Sequence, residues 1–133
     1  EVRVKQTTTG GAFGGKEHFP DVIATPLAVA VHKFKRPIQL IFERVEDISY
    51  TCKQHPSRIT IKTALDDANN IIGMDIDTVI NAGGYESSSL IVLQRAILHG
   101  IGVYNIPNAH IRGRAVATNT FPSDAYRGVG APQ

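Results

Sequence analysis

The chain has no tryptophan, one methionine and one cysteine, Cys52, among its 133 residues. A lone cysteine excludes an internal disulfide and any cysteine-ligated cluster within the chain. The absence of disulfides suits the cytoplasm, and Cys52 itself reads as a small buried or half-exposed thiol. No run of about eighteen apolar residues occurs, so no helical membrane span is expected, and no signal peptide is recognisable. Aromatics make up only 7% and the net charge is a mild +2. Lys33, Lys35 and Arg36 form the one tight basic cluster, at an expected helix end where cations suit the dipole. Nucleic acid is not an indicated partner.

Glycine is plentiful, and it is concentrated in two loops. Thr9-Gly10-Gly11-Ala12-Phe13-Gly14-Gly15-Lys16-Glu17 follows the strand-like run Val2–Thr8 and precedes an apolar helix. Glycine permits positive φ angles and close backbone approach to a ligand, and free N–H groups between a strand and a helix suit anionic oxygens. Gly10 to Lys16 satisfies the first seven positions of a P-loop, but Glu17 stands where the magnesium-binding hydroxyl belongs. The second loop, Ala125-Tyr126-Arg127-Gly128-Val129-Gly130-Ala131-Pro132-Gln133, has its own aromatic and arginine.

Between the loops, Val22, Ile23, Leu27, Ala28, Ala30, Val31 and Phe34 recur at helical spacing and predict a core-facing helix. Pro26 either starts it, with Thr25 as N-cap, or kinks it. Pro37–Glu43 reads as a short strand, and Arg44–Ile48 as a helical turn leading to Gln54-His55-Pro56. His55 is read as a turn residue before a ligand. Arg58–Leu65 and Met74–Ile80 alternate polar and apolar around the turn Asp66–Asn70, which predicts an antiparallel hairpin with one covered face. Asp75 and Asp77 share a face and are read as its wet side. Gly83-Gly84 ends the second strand. Ser87–Ser89 should cap an apolar helix from Leu90 to about Ile101, in which Arg95 is the one charge. Such a guanidinium either snorkels to water or meets a carboxylate or ligand. Ala109–Ala117 is a last strand. The class is α+β, or mixed α/β.

The two glycine loops, with Gln54-His55-Pro56, Tyr104-Asn105-Ile106-Pro107-Asn108 and Thr118-Asn119 in order between them, resemble the large, molybdenum-binding subunit of the xanthine dehydrogenase and aldehyde oxidoreductase family. That family carries Gly-Gly-Gly-Phe-Gly-Gly-Lys-Glu and, about a hundred residues later, Phe-Arg-Gly-Phe/Tyr-Gly-Gly/Ala-Pro-Gln. The resemblance implies that residues 1–133 are a single partial domain, a segment of the cofactor-binding region of a longer subunit. The implied cofactor is molybdenum–molybdopterin, as the cytosine dinucleotide form. The 2Fe-2S clusters and FAD are expected on partner domains or subunits.

Carried over residue by residue, Gly11, Ala12, Phe13, Gly14, Gly15, Tyr126, Arg127 and Gly128 would bind the cofactor. Phe13 and Arg127 would approach the molybdenum ligands through their backbones. Glu17 aligns with a glutamate that holds a substrate ring atom, and Arg95 with an arginine that stabilises charge on the purine during attack. With both charges present, an N-heterocycle is favoured over an aldehyde. Val129, where purine enzymes place an aromatic, departs from the pattern and puts xanthine itself in doubt. The family's catalytic glutamate lies downstream, and neither Glu17 nor Glu86 replaces it, so the segment alone is expected to be inactive. The alternatives are a P-loop-like nucleotide-binding module, an aldehyde oxidoreductase of the same family, and a folded interaction domain whose motifs are idle.

Overall fold

The structure is a computed structural model that describes Arg3, Lys5, Thr8, Gly10, Gly11, Phe13, Gly14 and residues 17–133. Most of the expected strand at residues 2–8 lies outside the described residues, as do Thr9, Ala12, Gly15 and Lys16 of the first glycine loop. In chain order the elements are α1 (Phe19–Phe34), α2 (Arg44–Tyr50), β1 (Ser57–Leu65), β2 (Ile71–Gly83), α3 (Ser89–Leu98) and β3 (Ala109–Ala117).

β1, β2 and β3 form one sheet in that order. β1 runs antiparallel to β2, as the alternating pattern predicts, with Ile61 opposite Ile76. The turn is closed by the Asp66 carboxylate, which accepts hydrogen bonds from the backbone N–H groups of Ala68 and Asn70. β3 lies parallel to β2 on the other side. Parallel neighbours need a crossover, and α3 supplies it. The class is therefore mixed α+β, as expected.

The core lies where α3 packs on β2 and β3. Ile80, Val92, Leu93 and Ala125 form it, with Ile97, Ala115 and Val129 packed around. Val92, Leu93 and Ala96 are the buried stripe of α3, and Gly113 lets the helix approach β3. A Cβ on Gly113 would lie 2.7 Å from Leu93 Cδ1 and 2.8 Å from Ile97 Cδ1.

Several expectations fail in physically informative ways. Pro37–Glu43 forms no strand, and Leu40 and Ile41 are exposed. A strand needs a neighbour to satisfy its N–H and C=O groups, and no described segment pairs with this one. Pro26 does not start α1. The helix begins at Phe19, with Pro20 in its first turn, and Pro26 sits inside it. Thr25 is no cap, because its hydroxyl donates to Asp21 O at 2.8 Å. The apolar face of α1 is only partly covered, with Val22, Val29 and Phe34 exposed. β1 is exposed on both faces rather than one. α3 ends at Leu98, one turn short of the expected Ile101. Of the two outcomes expected for the arginine within it, Arg95 takes the water-exposed one, beside the buried stripe of Val92, Leu93 and Ala96. α2, by contrast, forms as expected, with Glu43 N–H donating to Glu46 Oε2 at 2.9 Å. That is one half of a capping box.

Candidate cofactor-binding site

The second glycine loop is carried to its place by the segment beside the end of β2. Thr118 N–H donates to Gly83 O, Gly84 N–H to Thr120 O and Ser123 N–H to Ala82 O, each at 3.0 Å. Gly83 is needed for this. It has φ +79°, and a Cβ there would lie 2.4 Å from Phe121 O.

From there the chain enters an unusual run. Arg127, Gly128, Val129 and Gly130 all have positive φ, at 47°, 85°, 44° and 91°. Left-handed backbone is rare for a β-branched residue such as valine, and strain of this kind concentrates at functional sites. The Val129 side chain packs against the core around Ala125 and Val92. Gly130 is pressed so close to α3 that a Cβ would lie 2.1 Å from Val92 O. The loop is thereby fixed to the helix that carries Arg95.

The first loop meets it directly. Arg127 N–H donates to Gly14 O at 2.7 Å. A Cβ on Gly14, at φ +76°, would sit 3.1 Å from Val129 Cγ2, 3.6 Å from Glu17 Oε1 and 3.8 Å from Gly128 N. The two loops, more than a hundred positions apart in sequence, therefore abut backbone to backbone with Glu17 beside them. Phe13, at φ 54°, is 85% exposed and stands clear of the protein. The Arg127 guanidinium lies 5.5 Å from the Tyr126 ring centroid, within cation–π range.

Of the residues singled out from sequence, Gly11, Phe13, Gly14, Glu17, Tyr126, Arg127 and Gly128 are thus assembled on these two loops. Arg95 is on the helix beneath the second loop, and Ala12 and Gly15 lie outside the described residues. The Arg127 N–H, expected to approach the cofactor, is donated to Gly14 O.

The acidic pair on β2 is settled differently. Asp77 is paired with Arg114 at 2.8 Å and Arg112 at 3.3 Å, and Asp75 with His110 at 2.8 Å. The His110 hydrogen bond, with Arg112 and Lys62 nearby, outweighs partial desolvation and holds the Asp75 carboxyl below its usual range. No metal-ligating group of three or more His, Cys, Asp or Glu side chains occurs among the described residues. These acids are the wet face of the sheet.

Residues 1–133 match, in full, the family described as the molybdopterin cofactor-binding domain. The chain belongs to that family. Among its relatives, a xanthine dehydrogenase/oxidase from Rattus norvegicus is 36% identical over 99% of this chain and 10% of its own length. A nicotinate hydroxylase from Emericella nidulans is 36% identical over 100% of this chain and 10% of its own length. The solved aldehyde oxidoreductase of Desulfovibrio gigas matches with TM-score 0.71 and 34% identity, covering 93% of this chain and 14% of that one. Quinoline 2-oxidoreductase of Pseudomonas putida matches with TM-score 0.73 and 27% identity, covering 91% and 16% respectively. This molybdopterin-binding chain therefore spans about a tenth of the length of the curated relatives it matches. Among the described residues, no helix is long and apolar enough to cross a membrane.

Sequence reasoning missed a buried cluster next to the site of this molybdopterin-binding domain. His55, read from sequence as a turn residue, is one of its buried members. It is 3% exposed, its Nε2 lies 2.8 Å from Ser89 Oγ, and its Nδ1 has no partner among the described residues. Burial lowers its pKa, against an opposing pull from Asp124. The folded state thus holds His55 neutral where the unfolded chain would take a proton. Its stabilising contribution is complete above the unfolded value of 6.5 and is lost as pH falls below it, towards the lower folded value. Replacing His55 with glutamine should flatten the decline in melting temperature of the parent subunit between about pH 7 and pH 5, the range over which histidine charges. An unchanged pH slope would mean that this histidine does not drive the decline.

Proposed function

We propose that this chain is a segment of a molybdenum hydroxylase that oxidatively hydroxylates an N-heterocycle, with oxygen derived from water. The observation that carries the reading is the meeting of the two glycine loops through Arg127 N–H and Gly14 O, with Glu17 alongside. The residues fit a molybdopterin centre because the two loop backbones meet directly, and a Cβ on Gly14 would crowd that junction against Val129 Cγ2 and Glu17 Oε1. When bound, the molybdopterin centre supplies the acceptor for the two electrons that leave the substrate carbon. Gly11, Phe13 and Gly14 would form one wall of the site, with Ala12 and Gly15 assigned to it from the sequence motif alone, and Tyr126, Arg127 and Gly128 would form the other. The Phe13 backbone and Arg127 would be the groups that hold the molybdenum centre. Glu17 holds a ring nitrogen or oxygen of the substrate, and Arg95 stabilises negative charge that builds on the ring.

The charged pair Glu17 and Arg95 favours a heterocycle, and xanthine, nicotinate and quinoline name three of the four relatives above. Aldehyde oxidation is the second reading, favoured by the fold match to the Desulfovibrio enzyme. The full assembly would add the remainder of the large subunit, which includes the base that activates the attacking oxygen. It would also add iron–sulfur and flavin domains or subunits. The cofactor would be the cytosine dinucleotide form and the compartment the cytoplasm. The 133-residue segment, a single partial domain, would be inactive by itself.

The test is molybdenum and pterin content of the purified full-length parent, followed by a screen of purines and other heterocycles against aldehydes. Stoichiometric molybdenum with heterocycle turnover is the expected result. A correctly expressed parent without metal or pterin would overturn the reading.

A further inference from the structure

Asp124 is 2% exposed and belongs to neither glycine loop's ligand-facing surface. Four chain segments converge on it. Its Oδ1 accepts hydrogen bonds from the Ser88 hydroxyl, at the start of α3, and from Ala125 N–H at 2.7 Å. Ser88 Oγ in turn accepts from the same Ala125 N–H at 2.7 Å. The Asp124 backbone N–H donates to Lys53 O at 3.0 Å, and Cys52 Sγ lies 3.8 Å from its Oδ2. The Ser87 side chain and the His18 charge, directly after Glu17, also act on the carboxylate. Desolvation opposes ionisation there, but these partners outweigh it and keep the pKa below the ordinary value. A buried carboxylate is tolerated only when paired and hydrogen-bonded in this way.

Ser88 occupies the N-cap position of α3 yet makes no cap bond. Its hydroxyl is used on Asp124 and Ala125 instead. The helix forgoes its side-chain cap in favour of a link to the segment that carries the second glycine loop. From Ala125, whose side chain is in the core, a single residue, Tyr126, separates this link from the Arg127 N–H that meets Gly14.

We infer that Asp124 is a positioning residue that, through Ser88 and Ala125, sets how the arginine-bearing loop is held against the first glycine loop. This rests on the proposed function for its consequence, but not for its geometry. Asparagine at this position can keep both hydrogen bonds on its one carbonyl oxygen, whereas alanine keeps neither. Charge is therefore secondary to geometry.

The experiment compares Asp124→Ala, Asp124→Asn and Ser88→Ala in the full-length parent. Hydrogen exchange is read at residues 126–130 and, separately, at the centres of β2 and α3. Asp124→Ala and Ser88→Ala should raise exchange at 126–130 about tenfold or more, while the element centres keep their protection, as for a local opening. Pterin content and kcat should fall with it, because a misplacement of about 1 Å can cost a hundredfold. Asp124→Asn should restore both to within a few-fold of wild type. Unchanged exchange at 126–130 in Asp124→Ala would overturn the inference. So would loss of protection everywhere at once, in Asp124→Asn and Ser88→Ala as well as in Asp124→Ala, since that marks a general stability role. A wild-type parent lacking pterin would instead overturn the proposed function, with the exchange comparison still deciding the role of Asp124.

Discussion

Replacing Gly130 with alanine is expected to dislodge the second glycine loop and abolish cofactor loading in the parent enzyme. The added Cβ would lie 2.1 Å from Val92 O, 3.0 Å from Val92 C and 3.2 Å from Ala96 N. All three are backbone atoms of α3, so no side-chain rotation relieves the clash. The φ of +91° adds a cost of its own, because a side chain in left-handed backbone is strained. Together with overpacking against a rigid helix, the penalty should be about 3 kcal/mol or more. The loop can meet it only by leaving α3. That breaks the seat of Val129 in the core and withdraws Arg127 from Gly14. The expected readings are a lower melting temperature and a molybdenum content at least tenfold below wild type. Gly10→Ala makes a useful control, since a Cβ there meets nothing within 4 Å. Full cofactor content in Gly130→Ala would show that the loop's position on α3 is not required for binding.

The second large effect is expected from Arg95. Arg95→Met in the parent should lower kcat for heterocyclic substrates about 10²- to 10³-fold, the range seen when one preorganised group facing a developing charge is lost. Metal and pterin content should stay close to wild type. The reasoning is local. Arg95 lies on the exposed side of α3, whose buried face of Val92, Leu93 and Ala96 holds the helix on the sheet. Methionine preserves the length and helical preference of the side chain while removing its charge. The fold should therefore tolerate the change, and a selective fall in turnover would mark an electrostatic role. An equal effect on aldehydes and heterocycles would argue against a role specific to ring charge. A fall in pterin content would show that Arg95 supports the loop rather than the reaction.

Local chemistry made several elements of this protein legible in advance. The alternation in Arg58–Leu65 and Met74–Ile80, with Asp66 and Asn70 between, suffices for an antiparallel hairpin, because period-two patterning and a turn are both encoded within a few residues. The helical spacing of Leu90 to Ile97 gives α3, and Arg44–Ile48 is readable as the helical turn that becomes α2. The glycine motifs, with the short motifs between them, carry the membership in the molybdopterin-binding family. Positive φ is a property of the loop itself, and few side chains tolerate it.

Burial was less legible, because it depends on partners that sequence pattern does not name. Pro37–Glu43 has strand composition, but no neighbouring backbone pairs with it. The apolar stripe of α1 is half-covered for the same reason. For Arg95 the apolar run left solvent and a buried partner both open, and the side chain is exposed because the sheet covers only one side of α3. His55 and Asp124 gave no local sign of their burial. Each is recognisable only when Ser88, Ser89, Cys52 and Ala125 are brought around it from distant parts of the chain. Sequence alone determined the family, the glycine loops and the local elements, since these follow from backbone freedom and periodicity within short windows. Tertiary structure alone decided that the loops touch, that Arg127 N–H is given to Gly14, and that Asp124 joins them to α3. Hydrogen bonds between remote segments exist only after the chain has closed, and nothing in either segment by itself names its partner.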